Sequence, residues 1–233
     1  MSDSEALSAL QAQVERLTAQ VARLEDVNAV RGLHFKYGYY LDACLYEEVV
    51  ELFDEEAELR FLNGIYRGKA GARRLYCDWR RNIWAGGRDG LPFGLLYDHL
   101  LLQDVVEIAP DGLSAKGRFR GFMQGGFHES ADKPAAAPLQ TWEGGIYENQ
   151  YIKRGGVWKI SLFDYNMLWQ ADYERGWTHS EVHLKPLTKT YPDDPIGPDE
   201  LVPTAPVAWP QRRTVPFHYP HPVTGKVWQG ADV

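Results

Sequence analysis

The sequence predicts an α+β fold in which helices pack on one face of a curved antiparallel sheet, with a long N-terminal helix in front and a proline-rich strap behind. Three observations predict it. An uninterrupted helical pattern opens the 233-residue chain. Four long stretches of strand character, separated by turn signals, follow in its middle. Ten of its 14 prolines then crowd between Pro186 and Pro222. Helical segments followed by a run of hairpin-connected strands are the pattern of an α+β domain.

The opening helix is legible from spacing. Leu7, Leu10, Val14, Leu17, Val21 and Leu24 recur in alternating steps of three and four, an a/d heptad seam, and no Gly or Pro interrupts residues 4–31. At Asn28 the seam stops and the apolar positions move to Val27, Val30, Leu33, Tyr37 and Leu41, as if the helix leaves one partner and docks on the domain body. Such a seam implies a second chain or a neighbouring helix. The first is the expectation here: a homo-oligomer, dimer or trimer. A second helical stretch covers Glu47–Phe53, and Ala57–Leu62 alternates as a strand. Ala70–Trp84 reads as a third helix, with Leu75, Tyr76, Trp79 and Ile83 on one face and a glycine cap at Gly86-Gly87.

Leu95–Ile108, Ser114–Phe127, Leu139–Arg154 and Val157–Trp169 are the four long strands, with turns at Pro110-Asp111-Gly112 and Gly155-Gly156. A sheet of this length bent around helices encloses a cavity. Past Trp177 the prolines forbid a helix or a central strand. This segment is either disordered or an ordered strap. Its anchors Leu187, Tyr191, Leu201, Trp209, Phe217, Tyr219 and Trp228 favour a strap that closes the cavity mouth or embraces another subunit. The chain thus divides into residues 1–28, a seam helix, residues 29–176, an α+β domain, and residues 177–233, the extension.

Composition narrows the function. A net charge of −7 argues against nucleic-acid and anionic-membrane partners, because both need a basic face. No apolar run is long enough to span a bilayer, and the acidic, amphipathic N-terminus lacks the pattern of a secretion signal. Cys44 and Cys77 have neither disulfide-framework nor metal-ligand spacing. Together these lead to the expectation of a cytoplasmic protein with two buried thiols. Aromatic residues make up 13% of the chain, which suits either a core or a pocket for flat apolar ligands. His218-Tyr219-Pro220-His221 is a poor metal template, so no metal is expected.

Several stretches resemble the SnoaL-like branch of the nuclear-transport-factor-2-like superfamily. They are Lys36–Asp42, Glu47–Ala57, Tyr66–Gly71, Asp98-His99, Gly145–Glu148 and Gly156–Ile160, in matching order and spacing from about residue 26 to 169. The resemblance implies a cone-shaped α+β barrel with a deep apolar pocket, and in many members cofactor-independent lyase, dehydratase, isomerase or cyclase activity. It also implies roles. Asp42 and His99 fall where the dehydratase and dehydrochlorinase members carry an Asp on the first long helix and a His on the first long strand. Tyr37 falls on a polar position five before the Asp.

In this reading Asp42 orients and charges His99, His99 moves a proton, and Tyr37 donates one to a leaving oxygen or holds the ligand. Tyr40, Arg80, Tyr97, Arg120, Trp142 and Asn166 are the candidates for binding substrate. Alternation puts Tyr97, His99, Leu101 and Gln103 on one face of their strand, and Trp158, Ile160, Leu162, Asp164 and Asn166 on one face of the last. The strand Lys116–Gln124 offers Arg118, Arg120 and Gln124, but not the further acid or base that hydroxyl-eliminating relatives carry there. An arginine in the cavity favours an oxyanion such as a phenolate.

The leading expectation is a cofactor-independent lyase acting on a small aromatic or polycyclic molecule. In character it is similar to bacterial lignin-degrading lyases that convert diaryl propanediols to stilbenes with loss of water and formaldehyde. A dehydratase or isomerase of a steroid- or polyketide-like substrate is the alternative within enzymes. A non-catalytic small subunit of an aromatic-ring dioxygenase is the alternative outside them, and that reading predicts Asp42 and His99 far apart or exposed.

Overall fold

The computed structural model describes residues 3–135, 137, 140–179, 184–203, 208–211 and 214–228. The chain opens with α1, Asp3–Asp42, a single 40-residue helix. Its first part projects from the body. Its last part buries Val30, His34, Tyr37, Gly38 and Leu41. Then come α2 (Tyr46–Glu51), β1 (Phe53–Phe61), β2 (Gly64–Arg67) and α3 (Gly68–Arg73). A π-helical segment, Arg74–Arg80, carries α3 into α4 (Arg81–Ala85). The long strands are β3 (Leu95–Ile108), β4 (Ser114–Phe127), β5 (Gln140–Arg154) and β6 (Val157–Asp172), followed by α5 (Gly176–His179) and β7 (Glu200–Leu201).

Among the described residues, seven strands join one sheet in the order β3-β4-β5-β6-β1-β2-β7. Its pairs are antiparallel except β1 with β6, which is parallel. The sheet is curved and unclosed, and α1 packs across it at β3. The predicted α+β architecture holds. The β5–β6 turn follows its sequence signal: Gly155 and Gly156 both take positive φ, 58° and 82°, as a tight primed hairpin turn requires.

The expected single helix over Ala70–Trp84 is instead interrupted by the π-helical segment. The i→i+5 bonding of a π-helix takes more residues per turn than an α-helix. Pairs four apart therefore stay in line. Leu75 and Tyr76 enter the core, while Trp79, Arg80, Ile83 and Trp84, further along, line a cavity. Gly86, at φ 61°, caps α4 as its sequence predicts.

Strand faces also depart from simple alternation. In β3, Leu101 pairs with Gly121 and Asp104 with Phe119, so one extra residue lies between them. The bulge turns Gln103 outward and brings Asp104 under α1, where its Oδ2 accepts from Arg31 Nε at 2.7 Å. In β6, Tyr151 faces Ile160 but Gln150 faces Leu162, and Gly145 faces Met167 but Gly144 faces Trp169. Each bulge flips the side-chain face once. The buried set runs Trp158 and Ile160, then Phe163, Tyr165 and Met167, then Gln170. The predicted shared face of Trp158, Ile160 and Asn166 therefore breaks.

The proline-rich segment, where described, is an ordered strap. Asn63 holds Leu187 through both backbone groups, at 2.7 and 3.0 Å. Arg74 Nε donates to Gly197 O at 3.0 Å, and β7 extends the sheet beyond β2. Further on, Arg118 donates to Pro216 O and Val215 O, and its guanidinium lies 4.5 Å from the Phe217 ring centroid. Cys44 and Cys77 are buried and unlinked. No described helix is long and apolar enough to cross a membrane.

One glycine sets how closely α1 approaches β3. A Cβ on Gly38 would lie 2.9 Å from Leu101 Cδ1 and 3.3 Å from His99 O. Only a bare Cα lets the helix sit down here, one turn before Asp42. Gly38→Val should destabilise the fold by about 1–3 kcal/mol, the usual cost of overpacking. A lowered urea midpoint with unchanged slope reads this directly; an unchanged midpoint would show that the contact has slack.

Candidate active site

The inner face of the sheet and the π-helix–α4 segment enclose a cavity of about 300 Å³. Its apolar walls are Phe61, Trp79, Ile83, Trp84, Met123 and Leu184, and its polar groups include Arg80, Tyr97, His99, Glu143 and Gln170. Leu184 comes from the strap, and its backbone N–H donates to Gln170 Oε1 at 3.2 Å. The strap thus closes part of the chain's own cavity.

His99 sits on the inward face of β3, its side chain 4% exposed. Asp42, the last residue of α1, meets it from behind. Asp42 Oδ1 lies 2.7 Å from His99 Nδ1 and accepts from the His99 backbone N–H at 2.9 Å. Two donors converging on one carboxylate oxygen fix both strand and ring. An acidic partner at Nδ1 selects the tautomer with its proton there and leaves Nε2 as the basic nitrogen. The Tyr97 ring packs edge-on against the imidazole, centroids 4.6 Å apart. The Asp–His pair expected from the resemblance is therefore assembled, and its His side borders the cavity.

Arg80 supplies the positive charge. Its Nη1 donates to Tyr97 Oη at 2.9 Å, and its Nε is buried without a partner. Its guanidinium lies 4.8 Å from the Phe61 ring centroid and 5.8 Å from that of Trp79. Among the described residues it forms no ion pair, and the field of the Glu143 carboxylate reaches it. A buried cation with spare donors is poised for an anionic oxygen. Burial holds the Tyr97 hydroxyl protonated to well above its ordinary range, although Arg80 pulls the other way.

Glu143, on β5, is the second acidic group of the site. Tyr165 Oη donates to its Oε1 at 2.6 Å and Gln170 Nε2 to its Oε2 at 2.8 Å. The acid–base group absent from β4 is thus matched by a carboxylate one strand further along. Glu143, Gln170 and Thr141 are site residues that the sequence reading missed. Parity was the available signal for Glu143: counted back from the inward Tyr147 through Gly145, it falls on the inner face of β5.

Other candidates lie elsewhere. Tyr37 is fully buried, with its hydroxyl 3.1 Å from that of Tyr76, and is not among the cavity-lining residues. Desolvation by burial raises its pKa further, so proton donation by Tyr37 to a ligand is not what this placement offers. Tyr40 packs half-buried against the core, also off the cavity wall. Arg120 is exposed on the outer face, beside Gln103 and Ile146. Trp142, even where Glu143 is odd, points outward and packs against Phe122, Tyr173 and Trp177. Asn166 faces Ile146 in the ladder and so shares that outer face, as the β6 bulge dictates. His218 is paired with Glu148, and among the described residues no three His, Cys, Asp or Glu side chains gather as a metal site would need.

Comparison with known proteins bears on this geometry. No curated protein sequence matches the chain. Solved structures do. A putative scytalone dehydratase from Novosphingobium aromaticivorans is 18% identical with a TM-score of 0.52, covering 66% of this chain and 91% of its own. A hexachlorocyclohexane dehydrochlorinase, LinA type 2, is 18% identical with a TM-score of 0.53, covering 73% and 99%. LinA type 3 from Novosphingobium barchaimii LL02 is 18% identical with a TM-score of 0.52, covering 72% and 99%. At such identities the likeness is one of fold. The family model of the SnoaL-like domain matches residues 22–164, more than half the chain, and the chain belongs to that family.

Proposed function

We propose that this protein is a cofactor-independent lyase that eliminates a leaving group from a compact phenolic substrate, with His99 as the proton-transferring residue. The observation that carries the reading is the 2.7 Å contact between Asp42 and His99, with the imidazole buried at a cavity wall. A non-catalytic subunit needs no such pair. The activities that the neighbours above are named for, dehydration and dehydrochlorination, are eliminations, which agrees with the proposal.

The residues suggest a division of labour. Phe61, Trp79 and Trp84 hold an aromatic ring. Arg80 and the Tyr97 hydroxyl hold the phenolic oxygen as an anion. Protonated His99 hands its Nε2 proton to a benzylic hydroxyl, which leaves as water, and the phenolate pushes in electrons to form a quinone methide. In a diaryl propanediol, neutral His99 then takes the proton of the terminal hydroxyl. The C–C bond breaks, formaldehyde departs, and the electron pair restores the phenolate and leaves a stilbene. Water and formaldehyde are the two products released, and the proton lent by His99 returns to it. The cavity volume is at the small end of the roughly 300–1,000 Å³ typical of ligand pockets, which suits one small phenolic substrate.

The test is incubation with phenolic diaryl propanediols, following stilbene absorbance and formaldehyde, against O-methylated analogues that cannot form the phenolate. Turnover of the phenols alone supports the proposal; equal turnover of both, or of neither, refutes it. Arg80→Met should raise KM for the phenolic substrate by roughly 10- to 100-fold, because a hydrogen bond to a charged group contributes about 1.5–3 kcal/mol. A KM within twofold of wild type would remove Arg80 from substrate recognition.

A further inference from the structure

The exposed half of α1 carries a feature that the active site does not use. Leu7, Leu10, Val14, Leu17, Val21 and Leu24 are 58%, 57%, 54%, 48%, 54% and 64% exposed. Six large apolar side chains in one stripe are far more than the scattered apolar residues of an ordinary surface. Among the described residues, the chain's own body does not cover them. The body docks on the face that carries Arg23, Asp26, Val30, His34, Tyr37 and Leu41. At 100° per residue, the centre of the stripe lies roughly 150° round the helix from that face.

We infer that α1 pairs with α1 of a second copy of this chain as a parallel two-stranded coiled coil, with the two barrels on its outer sides. Four features commit to this occupant. Leu7, Val14, Val21 and Asn28 take the a positions, and Leu10, Leu17 and Leu24 the d positions. β-Branched Val14 and Val21 at a, with Leu at every d, favour two strands in parallel. Asn28, exposed in the single chain, falls on the next a position, where a paired polar residue fixes register and strand number. The g positions Gln13 and Gln20 would meet the e positions Thr18 and Glu25 of the partner copy, so no like charges oppose self-association. Finally, the seam faces away from the barrel, which leaves both barrels clear of each other along the pair.

The full-length chain provides the test, independently of any activity. In sedimentation equilibrium the 26.5 kDa chain should show twice the mass of its Leu10→Glu/Leu17→Glu variant. Both residues project from the body, so near-ultraviolet circular dichroism should report the same packed barrel in each. A Leu10→Cys variant should form a covalent dimer under mild oxidation, since Cys44 and Cys77 are buried. In an antiparallel pair Leu10 would face Val21, leaving the two introduced thiols roughly 16 Å apart, too far to bridge. Equal masses for wild type and the double variant would overturn the inference. They would mean the stripe is free, or is covered by another segment or a different protein. A threefold mass ratio, or failure of the Leu10→Cys variant to cross-link, would overturn it equally.

Discussion

His99→Ala should lower kcat/KM for the phenolic substrate by about 10²–10⁴-fold, the usual contribution of a positioned general acid–base. The expectation rests on where the ring stands. Nδ1 is committed to Asp42, and the imidazole edge borders the cavity. Folding should survive, because Asp42 Oδ1 also accepts from the backbone N–H of residue 99, which alanine retains. The variant leaves a space the size of the missing ring, so added imidazole should restore part of the activity. Full activity in His99→Ala would end the catalytic assignment. Loss without imidazole rescue, together with altered circular dichroism, would point instead to a structural role.

Asp42→Asn should lower kcat by a similar 10²- to 10⁴-fold while leaving KM within a few-fold of wild type. Asp42 lies behind His99 and is not among the cavity-lining residues, so it acts through the ring. Asn is nearly the same shape. It can still accept from the backbone N–H, but it lacks the charge that stabilises an imidazolium and does not enforce the Nδ1–H tautomer. Because both residues serve one proton transfer, the double variant should be no slower than the worse single variant. Multiplied losses would mean that they act independently. A raised KM at normal kcat would make Asp42 a binding residue.

The sequence foretold the long elements because their signals are local. Heptad spacing marks α1, and turn residues at Gly112 and Gly155-Gly156 bound β3 to β6. The Asp42–His99 pair was legible through the family resemblance. Their meeting depends on a close helix–strand approach at Gly38 that no local pattern encodes. Strand faces were legible only as far as the first bulge. Asn166 was assigned inward by counting from Ile160, and the extra residue near Ser161 reversed the face. Trp142 was a substrate-binding candidate, yet parity in the bulge-free β5 turns it outward and its neighbour Glu143 inward. Arg80 was a substrate-binding candidate on a stretch that also carries Arg73, Arg74 and Arg81. The π-helical turn that aims it into the cavity arises from tertiary packing, and helical periodicity does not reveal it.

The measurement that tests the account most directly is a histidine ¹⁵N correlation spectrum of the labelled protein, recorded with and without a phenolic ligand, with His99→Ala used to assign the resonance. His99 should keep its Nδ1 proton against Asp42 and exchange the transferred proton at Nε2, with an Nε2 signal that moves when the phenol binds. A ring whose Nδ1 carries no proton, or an Nε2 signal indifferent to a bound phenol, would contradict the proposed role of the pair.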